Sequence, residues 1–145
     1  MEAAMDGPAE LVQRLVQATN ARDIDALVDC FSHDYVNETP SHPTRGFRGR
    51  SQVRSNWEQI FEFVPDLRVE VLRCTVDGQR AWTEWEMRGT RRDLSDHHLR
   101  GVIIFDVLDD RAVSARFYLE PVDDDPVSVR DAVRAQVVRE SAVSS

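Results

Sequence analysis

The chain contains no lysine, and all 18 of its basic residues are arginines. Schiff-base chemistry and the lysine-dependent phosphate-binding loop are therefore excluded, because both require a lysine amine. The 26 acidic residues outnumber the arginines and give a formal net charge of −8. Nucleic acids and anionic membranes bind basic surfaces, so this charge balance disfavours both as partners.

Long apolar runs are also absent from the sequence. No segment approaches the length of a membrane span, and the N-terminal string MEAAMDGPAE lacks the basic and apolar regions of a secretory signal. We therefore expect a cytoplasmic protein. The two cysteines, Cys30 and Cys74, show no metal-type or CxxC spacing, so we predict two buried free thiols and no metal site.

The length of 145 residues suits one globular domain, and the chain contains no internal repeat. We place this domain at residues 1–122 and assign residues 123–145 to an acidic linker and a short helical tail. The linker begins with the string DDDP, which we predict to cap a helix whose one side carries Val129, Val133 and Val137.

Helical periodicity dominates the first part of the chain. Pro8 suits the first position of a helix that we expect to stop at Asn20, and Asp23 can cap a second, short helix. Ser51 is the predicted cap of a third helix, which ends before Pro65.

From residue 67 onward, the apolar residues recur with period two. Four alternating or apolar strings follow, separated by turn signals at Asp77-Gly78 and Asp109-Asp110: LRVEVLRCTV, AWTEWEMRGT, HLRGVIIFDVL and AVSARFYLEPV. Helices followed by an antiparallel meander predict an α+β fold in which helices cover one face of a sheet.

The string AWTEWEMRGT has a charged face and an apolar face. Strict alternation sends Trp82, Glu84 and Glu86 to one face, and it sends Trp85 and Met87 to the other. We predict that Trp85 and Met87 face the interior. Whether they line an open cavity or fill a closed core is left open by the alternation, since both side chains are ordinary core material.

Five strings in this order resemble the SnoaL-like branch of the nuclear transport factor two-like superfamily: FSHDYVNETP, VPDLRVEVL, WEMRGT, RGVIIFDV and ARFYLEP. The resemblance covers residues 8–121. It implies a cystatin-like roll, a cone-shaped curved antiparallel sheet wrapped around helices. The open end of such a cone accepts a small, mostly apolar molecule, and many members are homodimers, so we expect a homodimer here.

The resemblance leaves the reaction open, because members include polyketide cyclases, a ketosteroid isomerase, epoxide hydrolases and proteins without a known reaction. The isomerase's general base falls at Thr39 and its oxyanion-hole acid falls near Ile103. The epoxide hydrolase's arginine and aspartate fall at Trp85 and Met87, and its last-strand aspartate falls near Phe117. Neither mechanism transfers to this chain.

Among the remaining residues, the resemblance implies a ligand-binding set. We predict that Tyr35, Asn37, Thr39 and Trp57 contact or orient the ligand, and that Trp85, Met87, Ile103 and Phe117 form the apolar wall. Tyr35 and Trp57 are also ordinary packing residues. No nucleotide, flavin, metal or other cofactor is indicated.

Two residues are candidates for moving a proton. Glu120 matches the terminal acid of the family's last strand, although ideal alternation places it outside, where a salt bridge or an interface contact is the alternative. His97 shares the parity of Ile103 and Phe105, so it faces the interior if the strand extends that far. A surface histidine in a turn is the alternative for His97.

These observations favour a protein that binds a hydrophobic, polycyclic carbonyl compound and, if it is an enzyme, catalyses cofactor-free cyclisation or isomerisation. The competing interpretation is a non-catalytic ligand-binding or dimeric accessory protein that lacks acid and base residues. A third is a subunit-interaction domain that uses the outer sheet face with Trp82, Val102 and Ile104.

Overall fold

The structure is a computed structural model, and it describes residues 7–138. A sheet of six strands is combined with four helices and one short 3₁₀ turn. In chain order these are α1 (Gly7–Ala21), α2 (Ile24–Asp29), β1 (Phe31–Glu38), the 3₁₀ turn (Pro43–Arg45), β2 (Phe47–Arg48), α3 (Arg50–Phe63), β3 (Arg68–Asp77), β4 (Arg80–Thr90), β5 (Asp96–Leu108), β6 (Arg111–Pro121) and α4 (Val129–Val137).

The strands form a single curved sheet with the order β2-β1-β6-β5-β4-β3. All neighbours pair antiparallel except β1 and β6, which run parallel. Helix α1 packs against β3, β4 and β5, and α3 packs against β1 and α2. The predicted α+β class is confirmed, with one parallel pair inside the predicted antiparallel sheet. No helix within residues 7–138 is both long and apolar enough to cross a membrane.

Two of the predicted helix ends are confirmed, because α3 ends at Phe63, before Pro65, and Asp23 lies at the start of α2. Asp23 caps α2, because its carboxylate accepts a hydrogen bond of 3.1 Å from the backbone N–H of Ala26. Asn20 does not end α1; its side chain bonds instead to both backbone groups of Val69 on β3, with the Nδ2 donor at 3.0 Å and the Oδ1 acceptor at 2.8 Å. This pair of bonds replaces a strand partner for Val69 at the sheet edge.

Two further predicted caps are wrong. Helix α3 begins at Arg50 after Gly49, so Ser51 lies inside the helix and caps nothing. The DDD run does not cap α4; Ser128 does, by accepting a hydrogen bond of 3.1 Å from the N–H of Asp131. The valine side of α4 is exposed, with Val133 half-exposed and Val129 more so.

The predicted alternation along β4 is confirmed. Trp85 and Met87 are 1% and 5% exposed, whereas Trp82 on the opposite face is 48% exposed. Both predicted turns are present, with positive φ at Gly78 in the first turn and at both central residues, Asp109 and Asp110, in the second.

The prediction of two buried thiols is only half right. Cys30 is buried, but Cys74 is exposed. Cys74 lies on the edge strand β3, in an open groove between that strand and α1, and no further strand or helix within residues 7–138 covers it.

One glycine allows β5 and β6 to approach closely. Gly101 has φ of 156°, and a Cβ at this position would overlap the carbonyl oxygen of Tyr118 on β6. Gly101 precedes the buried residues of β5 and follows the part of the strand that carries His97 and Leu99. The alignment of β5 with β6 therefore depends on the missing side chain.

We predict that Gly101→Ala lowers the free energy of unfolding by about 2–4 kcal/mol, because it adds both backbone strain and steric overlap. The control is Gly78→Ala, which also has positive φ, at 60°, but has no atom within 4 Å of the added Cβ. That variant should lose only about 1–2 kcal/mol. Urea unfolding of the two variants measures the difference, and equal losses would show that the approach to Tyr118 carries no cost.

Candidate ligand-binding site

A cavity of about 310 Å³ lies between the inner face of the sheet, α3 and the loop that joins β1 to β2. Most of its wall is apolar and comes from β1, β2, α3, the segment before β3, and the inward faces of β4, β5 and β6. The apolar lining residues are Phe31, Phe47, Val53, Trp57, Ile60, Leu67, Met87, Leu99, Phe117 and Leu119.

Trp57 gives this cavity an aromatic wall from α3. Its ring lies 5.6 Å from the ring of Phe61 between centroids, with a tilt of 50°. Phe117 reaches the cavity from β6. Flat apolar molecules pack well against such side chains, since aromatic rings offer large contact areas at low conformational cost.

Tyr35 and Asn37 form a buried polar pair in the cavity wall. The Tyr35 hydroxyl donates a hydrogen bond of 2.7 Å to Asn37 Oδ1. Burial raises the pKa of Tyr35, so its hydroxyl remains protonated and able to donate. The bond uses the amide oxygen of Asn37 and leaves its Nδ2 group without a hydrogen bond to any residue of the described range. Asn37 thus offers a donor at the cavity.

His97 contributes the one titratable imidazole of the cavity lining. Its Nδ1 is buried and has no hydrogen-bond partner among residues 7–138. Desolvation lowers the pKa of His97, the charge of Arg91 lowers it further, and Asp96 opposes the shift. The imidazole is therefore neutral at pH 7, and its Nδ1 lone pair meets no donor within the described residues.

Glu120 lies outside the cavity lining. Its carboxylate accepts hydrogen bonds from His42 Nε2, with distances of 3.1 and 3.3 Å to the two oxygens. The β6 alternation sends Phe117 and Leu119 inward and Glu120 outward, as the ideal strand predicts. The structure does not bring Glu120 and His97 together in one site.

A family model described as a SnoaL-like domain matches residues 12–115 of this chain. The chain belongs to the SnoaL-like domain family. The resemblance inferred from the sequence is thereby confirmed. No match to this SnoaL-like chain was found among curated proteins.

Solved structures share the fold of this SnoaL-like domain at low sequence identity. An LEH-like epoxide hydrolase from M. tuberculosis has a TM-score of 0.68 at 19% identity, covering 79% of this chain and 83% of the hydrolase. A proposed SnoaL-like polyketide cyclase from Jannaschia sp. CCS1 has a TM-score of 0.69 at 18% identity, with coverages of 83% and 92%. A proposed ketosteroid isomerase from Kribbella flavida has a TM-score of 0.66 at 18% identity, with coverages of 94% and 91%. These likenesses establish the fold only.

The cavity of this SnoaL-like domain includes most of the residues proposed from the sequence. Those that line it are Tyr35, Asn37, Thr39, Trp57, Met87, His97 and Phe117. Trp85 and Ile103 do not line it, because they lie deeper in the core. There Trp85 Nε1 donates a hydrogen bond of 2.7 Å to the Thr83 hydroxyl, which in turn donates one of 2.6 Å to the Ile103 carbonyl. For these two residues, core packing replaces the predicted ligand contact.

Sequence reasoning missed two polar lining residues, Arg45 and Asn56. Arg45 belongs to the turn-rich string SHPTRGFRGR, which resembles an ordinary exposed connection. Asn56 precedes Trp57 on α3. The apolar periodicity of this helix predicts which side is buried, but it does not predict which polar residue beside that apolar side borders a cavity. Among residues 7–138, no group of three or more metal-binding side chains is close enough to hold an ion.

We predict that the His97 imidazole titrates below its ordinary pKa of 6.5, because its surroundings disfavour the charged form. Since the unfolded chain then binds the proton first, this histidine makes the fold less stable as pH falls below about 6.5. The measurement is an NMR titration of the imidazole resonances between about pH 8 and pH 5, the range in which histidine titrates. The resonance that is missing in His97→Gln belongs to His97. A pKa at or above 6.5 contradicts the placement of His97 in a desolvated wall.

Proposed function

We propose that this SnoaL-like domain binds a small, mostly apolar carbonyl compound in the cavity and moves a proton next to its carbonyl group. The observation that carries the proposal is the buried Nδ1 of His97, which has no partner among residues 7–138, in a wall that is mostly apolar. In the tautomer with hydrogen on Nε2, this nitrogen is an acceptor whose lone pair no donor of residues 7–138 occupies, which leaves it able to accept a proton from a ligand.

The size of the cavity supports a compact ligand. Its volume of about 310 Å³ is at the lower end of the range of about 300–1,000 Å³ for small-molecule pockets. This volume favours one or two fused rings over the polycyclic compound that the family resemblance first suggested. Trp57 and Phe117 provide aromatic contacts for such rings.

The polar groups suit proton transfer next to a carbonyl. Aldol-type cyclisation and double-bond isomerisation both begin when a C–H bond beside the carbonyl breaks. In the tautomer with hydrogen on Nε2, His97 Nδ1 accepts that proton, while the C–H electron pair moves to the carbonyl oxygen as an enolate. Asn37 Nδ2 donates a hydrogen bond to this oxygen, and the proton then returns from His97 to carbon.

The competing function is binding without catalysis. The observation that favours it is the absence of any carboxylate among the residues that line the cavity, with Glu120 engaged by His42 instead. Catalysis is favoured instead by several structural neighbours that are named as polyketide cyclases or ketosteroid isomerases. Glu120 retains a role on this proposal as an anchor for the β1–β2 loop.

We predict saturable quenching of tryptophan fluorescence when tetralone or acetylnaphthalene is titrated into the protein. Trp57 lines the cavity, so Trp57→Phe should remove most of the quenching. Trp85→Phe is the matched control, because Trp85 is 1% exposed and lies in the core behind the cavity. Equal quenching in both variants, or none in the unmodified protein, would refute ligand binding at this site.

We also predict that the protein accelerates exchange of the protons next to the carbonyl of tetralone into deuterated buffer. The rate should rise with pH through the lowered pKa of His97 and level off near neutrality, because only the neutral imidazole accepts a proton. His97→Gln should reduce the enzymatic rate by about 10²-fold or more. The exchange rate is measured by NMR, as the loss of the signal of the tetralone protons next to the carbonyl.

The adjacent histidine provides the control for this experiment. His98 lies on the other face of β5 and hydrogen bonds to Glu86 at 2.7 Å, so His98→Gln should leave the exchange rate unchanged. If tetralone binds but exchange stays at the buffer rate, the non-catalytic alternative holds.

A further inference from the structure

A single arginine borders the cavity. Three lining residues within the described range have ionisable side chains: Tyr35, Arg45 and His97. Because the Tyr35 hydroxyl stays protonated and the His97 imidazole is neutral at pH 7, Arg45 is the charged one of the three. Arg45 is the last residue of the 3₁₀ turn and is exposed at the rim. The cavity therefore combines an apolar interior with one permanent positive charge at its edge.

No acidic residue neutralises Arg45 within residues 7–138. None of the salt bridges in that range includes Arg45. Among them, Glu120 pairs with His42 at 3.1 Å and Glu38 pairs with Arg116 at 3.9 Å. The donors of Arg45 remain available to a ligand.

The backbone around Arg45 is held in place. The Arg45 N–H donates to the His42 carbonyl at 2.9 Å, and the His42 N–H donates to the Thr39 carbonyl at 2.8 Å. The His42 side chain is tied to Glu120 on β6. On the other side, Gly46 lies so close to the Asn37 carbonyl that a Cβ would approach it to 3.1 Å. The loop therefore holds the backbone of Arg45 beside the cavity, with its side chain among the lining residues.

We propose that the ligand is a carboxylic acid, with its apolar body and ketone inside the cavity and its carboxylate paired with Arg45. This inference rests on the proposed function and specifies its substrate class as small aromatic or unsaturated keto acids. A guanidinium binds a carboxylate through two parallel hydrogen bonds, which selects both charge and orientation.

The rim is a suitable place for such a group. An ionised carboxylate buried in the apolar interior would lose its hydration at large cost, whereas one at the rim keeps part of its water while it meets Arg45. His97 is neutral at pH 7, so it supplies no competing positive charge within the cavity. The two polar ends of the ligand are thus recognised by different residues, the ketone oxygen by Asn37 and the carboxylate by Arg45.

The test compares acetylnaphthoic acid with its methyl ester, which has the same rings and ketone but no charge. We expect calorimetric titration at low salt to show the acid binding about three- to tenfold tighter, with the difference falling as salt screens the exposed pair. Arg45→Gln should remove the preference and leave ester binding unchanged, which also shows that the variant is folded. Arg48→Gln is the matched control. It removes the same charge three positions along the chain, on β2, but Arg48 does not line the cavity.

The outcomes separate this inference from the function on which it rests. If the ester binds and the acid binds no tighter, Arg45 does not select a carboxylate and the inference fails while the proposed function stands. A preference that survives Arg45→Gln, or that Arg48→Gln removes equally, would also overturn it. If neither compound binds, the proposed function fails and the inference fails with it.

Discussion

A polar atom that folding removes from water must find a hydrogen-bond partner, and this constraint organises the inner face of the sheet. In the core, the Trp85 indole, the Thr83 hydroxyl and the Ile103 carbonyl form one chain of hydrogen bonds. Nearer the cavity, the Tyr35 hydroxyl donates a hydrogen bond to Asn37 Oδ1. Of the buried side-chain nitrogen and oxygen atoms in residues 7–138, His97 Nδ1 is left without a partner. We therefore expect a ligand to bind next to this nitrogen.

The pleat of β5 separates two adjacent histidines into different chemical environments. His97 faces the apolar cavity, where desolvation lowers its pKa. His98 faces the outer surface and hydrogen bonds to Glu86, and this bond, with Arg88 and Arg100 nearby, lowers the pKa of Glu86. Charge is thus gathered on the outer face, while the cavity keeps one neutral imidazole and one arginine at its rim. The homodimer expected from the family resemblance remains a prediction, and exposed Trp82 on the outer face is available to such a contact.

Alternation along a strand predicts which face a side chain takes, but it does not predict how deep along the sheet that side chain lies. It placed Trp85, Met87 and His97 on the inner side, and all three are there. It did not show that Trp85 is fully buried in the core while Met87 and His97 reach the cavity. Glu120 was expected outside by the same rule, yet its contact with His42, 78 positions away in sequence, depends on tertiary structure. The role of Arg45 was hidden for the same reason, because its loop resembles any exposed turn.

The most direct test of this account is a crystal structure of the protein with an aromatic ketone soaked into the cavity. We expect the rings to contact Trp57 and Phe117, with the carbon next to the carbonyl within contact distance of His97 Nδ1 and the carbonyl oxygen facing Asn37 Nδ2. A ketone bound in the groove between α1 and β3, or a cavity that stays empty at saturating ketone, would contradict it.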